Sequence, residues 1–191
     1  MRSGRNEREY PRGNMSETTD DGYWYESIEM TPHERAAFLR QNRVALFSTV
    51  RRSGAPFGVP LGFLHEGEVF DETTPVYLSL GGRKTLLSRI RKDPRICMTV
   101  DDRQIPTSVI IAEGTAREVP DDDGSLIDRF YHGAGFKTAK SEEIDDEVFM
   151  RNSLAISRTA VRIDFDHIIS WESRKFPEWR TLPAVHVAYR R

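Results

Sequence analysis

Several short segments of this chain carry apolar residues at every second position, and this alternation constrains the fold more than any other feature. Val44–Val50 is the first such run, and Val161–Phe165 is the last. Turn-forming residues separate the runs, as in Arg51–Gly54. The predicted strands cover residues 44–50, 55–63, 75–80, 95–100, 107–113 and 161–165. Short strands joined mostly as hairpins predict a mainly β fold, a small antiparallel barrel with appended helices.

A helix start precedes the first strand. Thr31 is a typical N-cap, Pro32 suits the first helical position, and Glu34 completes a capping box. Further helices are predicted over residues 83–92, around 126–131 and after Ser141.

Two strand features bear on where a ligand could bind. Both faces of residues 44–50 are mostly apolar, which predicts a strand buried on both sides. Pro60 lies inside the second strand and cannot donate to a ladder, so we predict that pairing breaks there. The unpaired backbone could then bond a ligand; a plain edge strand or a bulge is the alternative explanation.

Composition excludes several classes of protein. The 191 residues carry a formal net charge of −2, which gives no electrostatic footprint for nucleic acid. Cys97 is the only cysteine, which excludes an internal disulfide, so we expect a buried, inert thiol in a cytoplasmic protein. The histidines show no metal-ligand spacing, and no apolar run is long enough to span a membrane, so neither a metal nor a membrane partner is predicted.

The N-terminal segment differs from the rest of the chain. Residues 1–29 mix arginines with acids, glycine and serine, and no apolar period begins before Tyr23. We expect an arm that is disordered or packs on a partner chain, followed by one domain over residues 30–191.

The segment Ser79–Thr85 combines a strand end, two glycines, two cations and hydroxyls at a helix start. Glycines let backbone N–H groups approach an anion, and Arg83 and Lys84 supply charge-assisted bonds. The segment therefore predicts a phosphate cradle, although it lacks the upstream glycine of a P-loop. A solvated basic turn is the alternative.

The order of these elements resembles the FMN-binding split-barrel family related to pyridoxamine 5′-phosphate oxidase. The resemblance covers roughly residues 30–120, and its most specific part is the Arg-Lys helix that ends in Asp-Pro-Arg. The matching stretches are Arg43–Val50, Gly54–Pro60, Val76–Leu80, Gly82–Ile96 and Val109–Ala116. It implies a six-stranded antiparallel split β-barrel with Greek-key topology and flanking helices.

In that family the flavin lies in a groove between two subunits, so the resemblance implies a homodimer that binds FMN and a small-molecule substrate. Arg83 and Lys84 would bind the flavin phosphate, and the second strand would line the ring. Trp171, Arg174 and Arg180 resemble residues that reach the partner's flavin. The implied cofactor-binding residues are Val59, Pro60, Leu61, Leu78, Ser79, Leu80, Gly82, Arg83, Lys84, Thr85, Trp171 and Arg174.

The sequence departs from the oxidase at its substrate-binding Arg-Leu-His motif, where Trp179–Leu182 stands instead. Three interpretations follow: an FMN-dependent oxidoreductase of unknown substrate, a reductase that uses a deazaflavin coenzyme, or a non-enzymatic protein that binds flavin, haem or a tetrapyrrole. A deazaflavin has a longer anionic tail, for which Arg89, Arg91 and Lys92 could extend the basic groove. We expect His65 at the surface, with contact to substrate or haem as the alternative. Trp171 and Trp179 could instead form interface core.

Overall fold

The structure is a computed structural model, and it describes residues 28–81, 85–132, 148, 151–153 and 155–175. Within these residues, three helices flank six strands. The elements are α1 (Pro32–Gln41), β1 (Val44–Val50), β2 (Pro56–Gly62), β3 (Val76–Gly81), α2 (Thr85–Ile90), β4 (Arg95–Asp101), β5 (Ser108–Glu118), α3 (Ser125–His132) and β6 (Arg158–Glu172). Almost all of the predicted N-terminal arm, and the helix predicted after Ser141 apart from a few residues, lie outside the described residues.

The strands form one antiparallel sheet in the order β2-β1-β4-β5-β6-β3. β4, β5 and β6 are consecutive neighbours, and β3 lies beside β6 rather than beside β4. This is Greek-key connectivity. The predicted mainly β, six-stranded antiparallel fold is confirmed.

The sheet curls so that its two ends meet at one point. Leu64 follows β2 and forms an isolated antiparallel bridge with Tyr77 of β3. Each residue donates its N–H to the other's carbonyl oxygen at 2.9 Å. The sheet is therefore a half-barrel that this bridge holds closed at one point.

The concave side of the half-barrel holds the main core. Alternate residues of each strand point inward, as Val161, Ile163 and Phe165 do on β6. A second, smaller cluster lies between α3 and the outside of β3 and β6, around Tyr131 and Ala160. α3 covers this side because its first turn is capped by the Asp121 carboxylate, which accepts from the backbone N–H groups of residues 126 and 127.

α1 begins as its sequence predicts. Thr31 is the N-cap, Pro32 opens the helix, and the reciprocal bonds of the capping box between Thr31 and Glu34 are both present. Arg35 then fastens the helix to β6, because its Nε donates to the buried Ser170 hydroxyl at 2.9 Å.

Two predictions about the first hairpin are wrong. β1 is buried on one side only, since Val44, Leu46 and Val50 are 45%, 44% and 36% exposed. The pairing of β1 with β2 does not break at Pro60, because the register runs continuously through the Leu46–Pro60 pair. β2 is an edge strand, and an edge strand accommodates proline because its nitrogen can face away from the neighbouring strand.

β5 and β6 are both longer than predicted. They extend to Glu118 and over Arg158–Glu172, and their register shifts between Glu113 and Gly114. His167 pairs with Glu113 and Phe165 pairs with Gly114, so Asp166 is the extra residue of a β-bulge. None of the helices in the described part of the chain is long and apolar enough to cross a membrane.

Candidate functional site

The free edges of β2 and β3 face each other across a split in the barrel. Each strand has only one sheet neighbour, and Leu64–Tyr77 is the only bridge between the two sides among the described residues. Beyond that bridge, no ladder joins β2 to β3 among the described residues, so the outer edge of each strand has no strand partner. Val59–Leu61 lie on β2 and Leu78–Leu80 on β3, and the contact predicted between these residues and a cofactor stays a prediction.

Most side chains of Val59–Leu61 and Leu78–Leu80 are apolar, so these strands would bind a ligand mainly through backbone groups. Val59 and Leu61 pack against the main core, whereas Pro60 is exposed on the convex face. Leu78 is buried in the core and Leu80 packs against it. These strands can therefore offer N–H and C=O groups and apolar surface, but few polar side chains.

Ser79 is the exception on β3. It lies on the side of the strand that α3 covers, and its hydroxyl is shielded from solvent and interacts with the Tyr131 hydroxyl. A ligand that reaches this end of β3 would compete with Tyr131 for the Ser79 hydroxyl.

The predicted phosphate-binding turn follows β3 in the sequence. β3 ends at Gly81 and α2 begins at Thr85. Gly82, Arg83 and Lys84 lie outside the described residues, and the roles predicted for them and for the Thr85 hydroxyl stay predictions.

The predicted C-terminal contacts lie at the far end of the sheet. Trp171 is half-buried on β6 opposite Val109, and Arg174 lies in the short turn that follows. The Arg174 guanidinium donates to Glu172, to the Asp102 carboxylate at 3.2 Å and to the buried Ser108 hydroxyl. Arg180 and Trp179 lie outside the described residues.

The contacts between Arg174 and Glu172 shift the pKa values of these two residues in opposite directions. The hydrogen bonds from Arg174 and Ser108 hold the pKa of Glu172 below its usual value, against the effect of burial. Glu172 in turn raises the pKa of Arg174. The cluster is therefore a charged clip between β6 and the loop that precedes β5.

His65 lies in the connection from β2 to β3, and its predicted surface position is wrong. It is 2% exposed, and its ring packs edge-on against Phe70 with 5.4 Å between the ring centroids. Both ring nitrogens are shielded from solvent. Burial lowers the pKa of His65 and the positive charges of Arg40 and Arg43 add to this, while interactions with the backbone at Gly67 and Pro75 oppose it in part. The imidazole is therefore neutral and has no access to solvent.

The convex face of β2, β1 and β4 is open and carries two shallow grooves. One, of about 610 Å³, has Leu46, Pro60 and Thr99 in its floor and Asp102 at its rim. The other, of about 460 Å³, is mostly apolar and contains Cys97. Cys97 is half-buried rather than fully buried, and burial raises the pKa of its thiol, which fits the predicted inert state. Within the part of the chain that is described, no cluster of side chains could hold a metal ion.

Sequence reasoning treated Arg51 and Arg52 only as a turn. In the structure they border a third groove, of about 970 Å³, together with Arg89 and Lys92 from the α2 side. Two consecutive arginines in a tight hairpin were the available signal, because solvation alone does not require two like charges there.

An antiparallel Greek-key half-barrel whose two edge strands are joined, among the described residues, by a single bridge has the architecture of a split barrel. Residues 31–172 match the family model described as pyridoxamine 5′-phosphate oxidase. The chain belongs to the pyridoxamine 5′-phosphate oxidase family, a flavin-related family of oxidoreductases. The predicted family resemblance is confirmed.

Solved structures show the same fold at low sequence identity. The conserved hypothetical protein Rv2991 from Mycobacterium tuberculosis aligns with a TM-score of 0.61 and 21% identity, covering 84% of this chain and 94% of that one. A Clostridium acetobutylicum protein related to general stress protein 26 of Bacillus subtilis, of the pyridoxinephosphate oxidase family, aligns with a TM-score of 0.52 and 15% identity, covering 73% and 86%. No curated protein is a significant sequence match. These similarities establish the fold.

Proposed function

We propose that this protein is a flavin-dependent oxidoreductase that binds FMN in the split between β2 and β3 and acts on a small-molecule substrate. The observation that supports the proposal is that β2 and β3, the two edge strands, are left unpaired beyond one bridge in a member of this family. The protein has one cysteine and can form no internal disulfide, so we also propose that it works in the reducing cytoplasm.

The residues along the split fit such a ligand. A flavin ring has an apolar body and polar edge atoms, and Val59–Leu61 offer apolar surface with edge N–H and C=O groups. Arg83 and Lys84 would hold the phosphate by charge-assisted bonds, with Gly82 permitting close backbone approach and the Thr85 and Ser79 hydroxyls adding donors. The flavin, when bound, supplies the electron and hydride chemistry. The chain's own part is to bind, orient and shield it, and we expect no obligatory acid or base from the protein.

We propose that the working unit is a homodimer. The convex face of β1 exposes three aliphatic side chains, and a partner copy seated there would cover them and close a groove over the split. In that arrangement Trp171 and Arg174 would approach the partner's flavin. Arg174 would then exchange at least one of its present acceptors for the ligand.

A deazaflavin coenzyme is the second candidate. Arg89 and Lys92 line the groove near α2 and could meet a longer anionic tail. Arg91 could not do so without losing its pair, because its guanidinium makes two hydrogen bonds to the Glu118 carboxylate. Titration of the purified protein with FMN and with the deazaflavin, side by side, separates the two coenzymes. A bound flavin that neither nicotinamide nor artificial acceptors can reduce or reoxidise would favour the non-enzymatic interpretation.

The phosphate contact is tested by a double substitution. Arg83→Ala with Lys84→Ala should weaken FMN binding by about 3–6 kcal/mol, since two charge-assisted bonds are lost. Quenching of flavin fluorescence during titration measures this. Arg117→Ala is the matched control, because Arg117 is exposed on β5, which is not one of the strands predicted to hold the flavin. No FMN uptake by the wild-type protein, or equal affinity in the double variant, would overturn the proposal.

A further inference from the structure

We infer that the groove between the β1–β2 hairpin and α2 is a second anion site, separate from the proposed FMN site, that takes a diphosphate group. The groove has a volume of about 970 Å³. Arg51, Arg52 and Ser53 of the hairpin form one wall, and Ser88, Arg89 and Lys92 form the other, with Val50 and Arg95 between them. Cations and hydroxyls on two facing walls suit a phosphorylated ligand.

The cations of this groove are unusual in lacking counter-ions. Most arginines that the structure describes have a carboxylate within 4 Å, among them Arg91 with Glu118 and Arg129 with Glu66. Across the same described residues, no carboxylate lies within 4 Å of Arg51, Arg52, Arg89 or Lys92. Among the described residues, Arg43, Arg151 and Arg158 also lack such a carboxylate, but only this groove brings several unpaired cations together.

The only carboxylate in the lining is already engaged. Asp93 accepts from the Arg95 guanidinium at 2.9 Å and 2.6 Å. Those bonds lower the pKa of Asp93 to about 2, so it remains charged and neutralises Arg95 alone. Four cations are left for a ligand: Arg51, Arg52, Arg89 and Lys92.

Two of the guanidinium groups are preorganised. Arg51 and Arg89 both lie over the Phe57 ring of β2, with Cζ 5.0 Å and 4.3 Å from its centroid. The Arg89 Nε is shielded from solvent and has no hydrogen-bond partner. Stacking fixes these long side chains before a ligand arrives, which lowers the entropy cost of binding, and the free Nε is a donor that needs an acceptor.

Stabilisation of the α2 helix end explains only two of the four cations. Cations at the end of a helix favour its C-terminal carbonyls, which accounts for Arg89 and Lys92 near the end of α2. It does not account for Arg51 and Arg52, which lie in a hairpin turn and repel the first pair. Four positive charges match a diphosphate better than a phosphate monoester, which carries about −1.5 to −2 at pH 7.

Calorimetric titration of the full-length, flavin-free protein with inorganic pyrophosphate tests the inference. Arg51→Ala with Arg52→Ala, and separately Lys92→Ala, should each weaken binding by about tenfold or more, because each removes at least one charge-assisted contact. Arg117→Ala is the matched control, since Arg117 is exposed on β5 outside the groove, and it should bind like the wild type. Added salt should weaken binding of the wild type.

Three further titrations determine which ligand the groove recognises. Pyrophosphate binding that persists in FMN-loaded protein supports a separate site, whereas competition with FMN would place the anion in the flavin site and overturn the inference. ADP that binds at least as tightly as pyrophosphate, with the same loss in the variants, supports a nucleotide as the source; weaker ADP binding supports a free diphosphate. Citrate that binds as tightly as pyrophosphate, or variants with unchanged affinity, would overturn the assignment. FMN titration of the same variants is a separate readout, so failure here is distinguishable from failure of the flavin proposal.

Discussion

At the scale of single residues, the most informative atoms are the shielded polar groups that have no partner. Buried donors and acceptors are nearly always hydrogen-bonded in folded proteins, and leaving one unpaired costs about 1–3 kcal/mol. Here the shielded groups outside the geometric limits of a hydrogen bond belong to Arg43 before β1, Thr49 on β1, His65 after β2, Ser79 on β3 and Arg89 in α2. Ser79 and Arg89 lie at the proposed ligand sites. Arg43, Thr49 and His65 are not assigned to any proposed ligand.

His65 should make the stability of the fold depend on pH. Because burial lowers its pKa in the folded state, the unfolded chain takes up a proton at higher pH than the folded chain does. The unfolding free energy should therefore fall as the pH is lowered through about 6.5, by about 1.4 kcal/mol for each unit by which the two pKa values differ. Denaturant melts between pH 7.5 and 5 measure this. The carboxylates with lowered pKa values, such as Glu34, lose their contribution only at lower pH.

Replacement of the imidazole provides the matched comparison. His65→Leu should flatten the slope between pH 7.5 and 5, whereas His167→Gln, at an exposed position on β6, should retain it. An equal slope in wild type and His65→Leu would show that His65 is protonated in the folded protein without cost.

At the scale of elements, the pairing of β5 with β6 depends on the bulge at Asp166. The bulge brings the β6 backbone onto Gly114 so closely that a Cβ built there would overlap the carbonyl oxygen of Asp164 and lie 2.7 Å from the Phe165 Cα. Both neighbours are backbone atoms of a central strand, which cannot move aside as a side chain could. Gly114 therefore supports the bulge by having no side chain.

Gly114→Ala should destabilise the protein by about 3 kcal/mol or more, because the clash forces two central strands apart. Gly124→Ala is the comparison, since that glycine has a φ of +71° with nothing within 4 Å of the added methyl, and it should cost only about 1 kcal/mol. Chemical denaturation of the two variants measures the difference. Similar small losses for both would mean that the bulge relaxes around the methyl group.

The same bulge explains which parts of the fold the sequence predicts. Alternation identified all six strands, and the capping box identified the start of α1, because each depends on residues close together in the chain. The predicted strands stopped at Glu113 and Phe165, where the bulge changes the phase of the alternation. The burial of β1 and of His65 depends on which distant residues pack against them. Local sequence patterns do not contain that information. The strands that are predicted to bind the cofactor could be placed from sequence, but the groove around Arg51 forms only through contacts between distant segments.

At the scale of the whole molecule, the convex face of β2, β1 and β4 is the part of the described structure that needs an explanation. Val44, Leu46 and Val50 lie in a line along β1, with Pro56 and Pro60 of β2 exposed beside them. A row of exposed aliphatic residues on a central strand is a poor solvent surface, and apolar patches of this kind mark interfaces. The prediction that β1 is buried on both sides fails for the single chain and would hold in a dimer.

Leu46→Glu should convert the proposed dimer to a monomer, because a carboxylate at the centre of this face would be buried without a partner. Sedimentation equilibrium at micromolar concentration measures the mass. Ile156→Glu is the control, since Ile156 is equally exposed, at 47%, but lies away from β1. The monomeric variant should also bind FMN more weakly, because the partner would complete the groove. It should remain folded, because the main core lies within one chain. A wild-type protein that is already monomeric would leave the flavin groove to a single chain. A Leu46→Glu variant that stays dimeric would place the interface elsewhere.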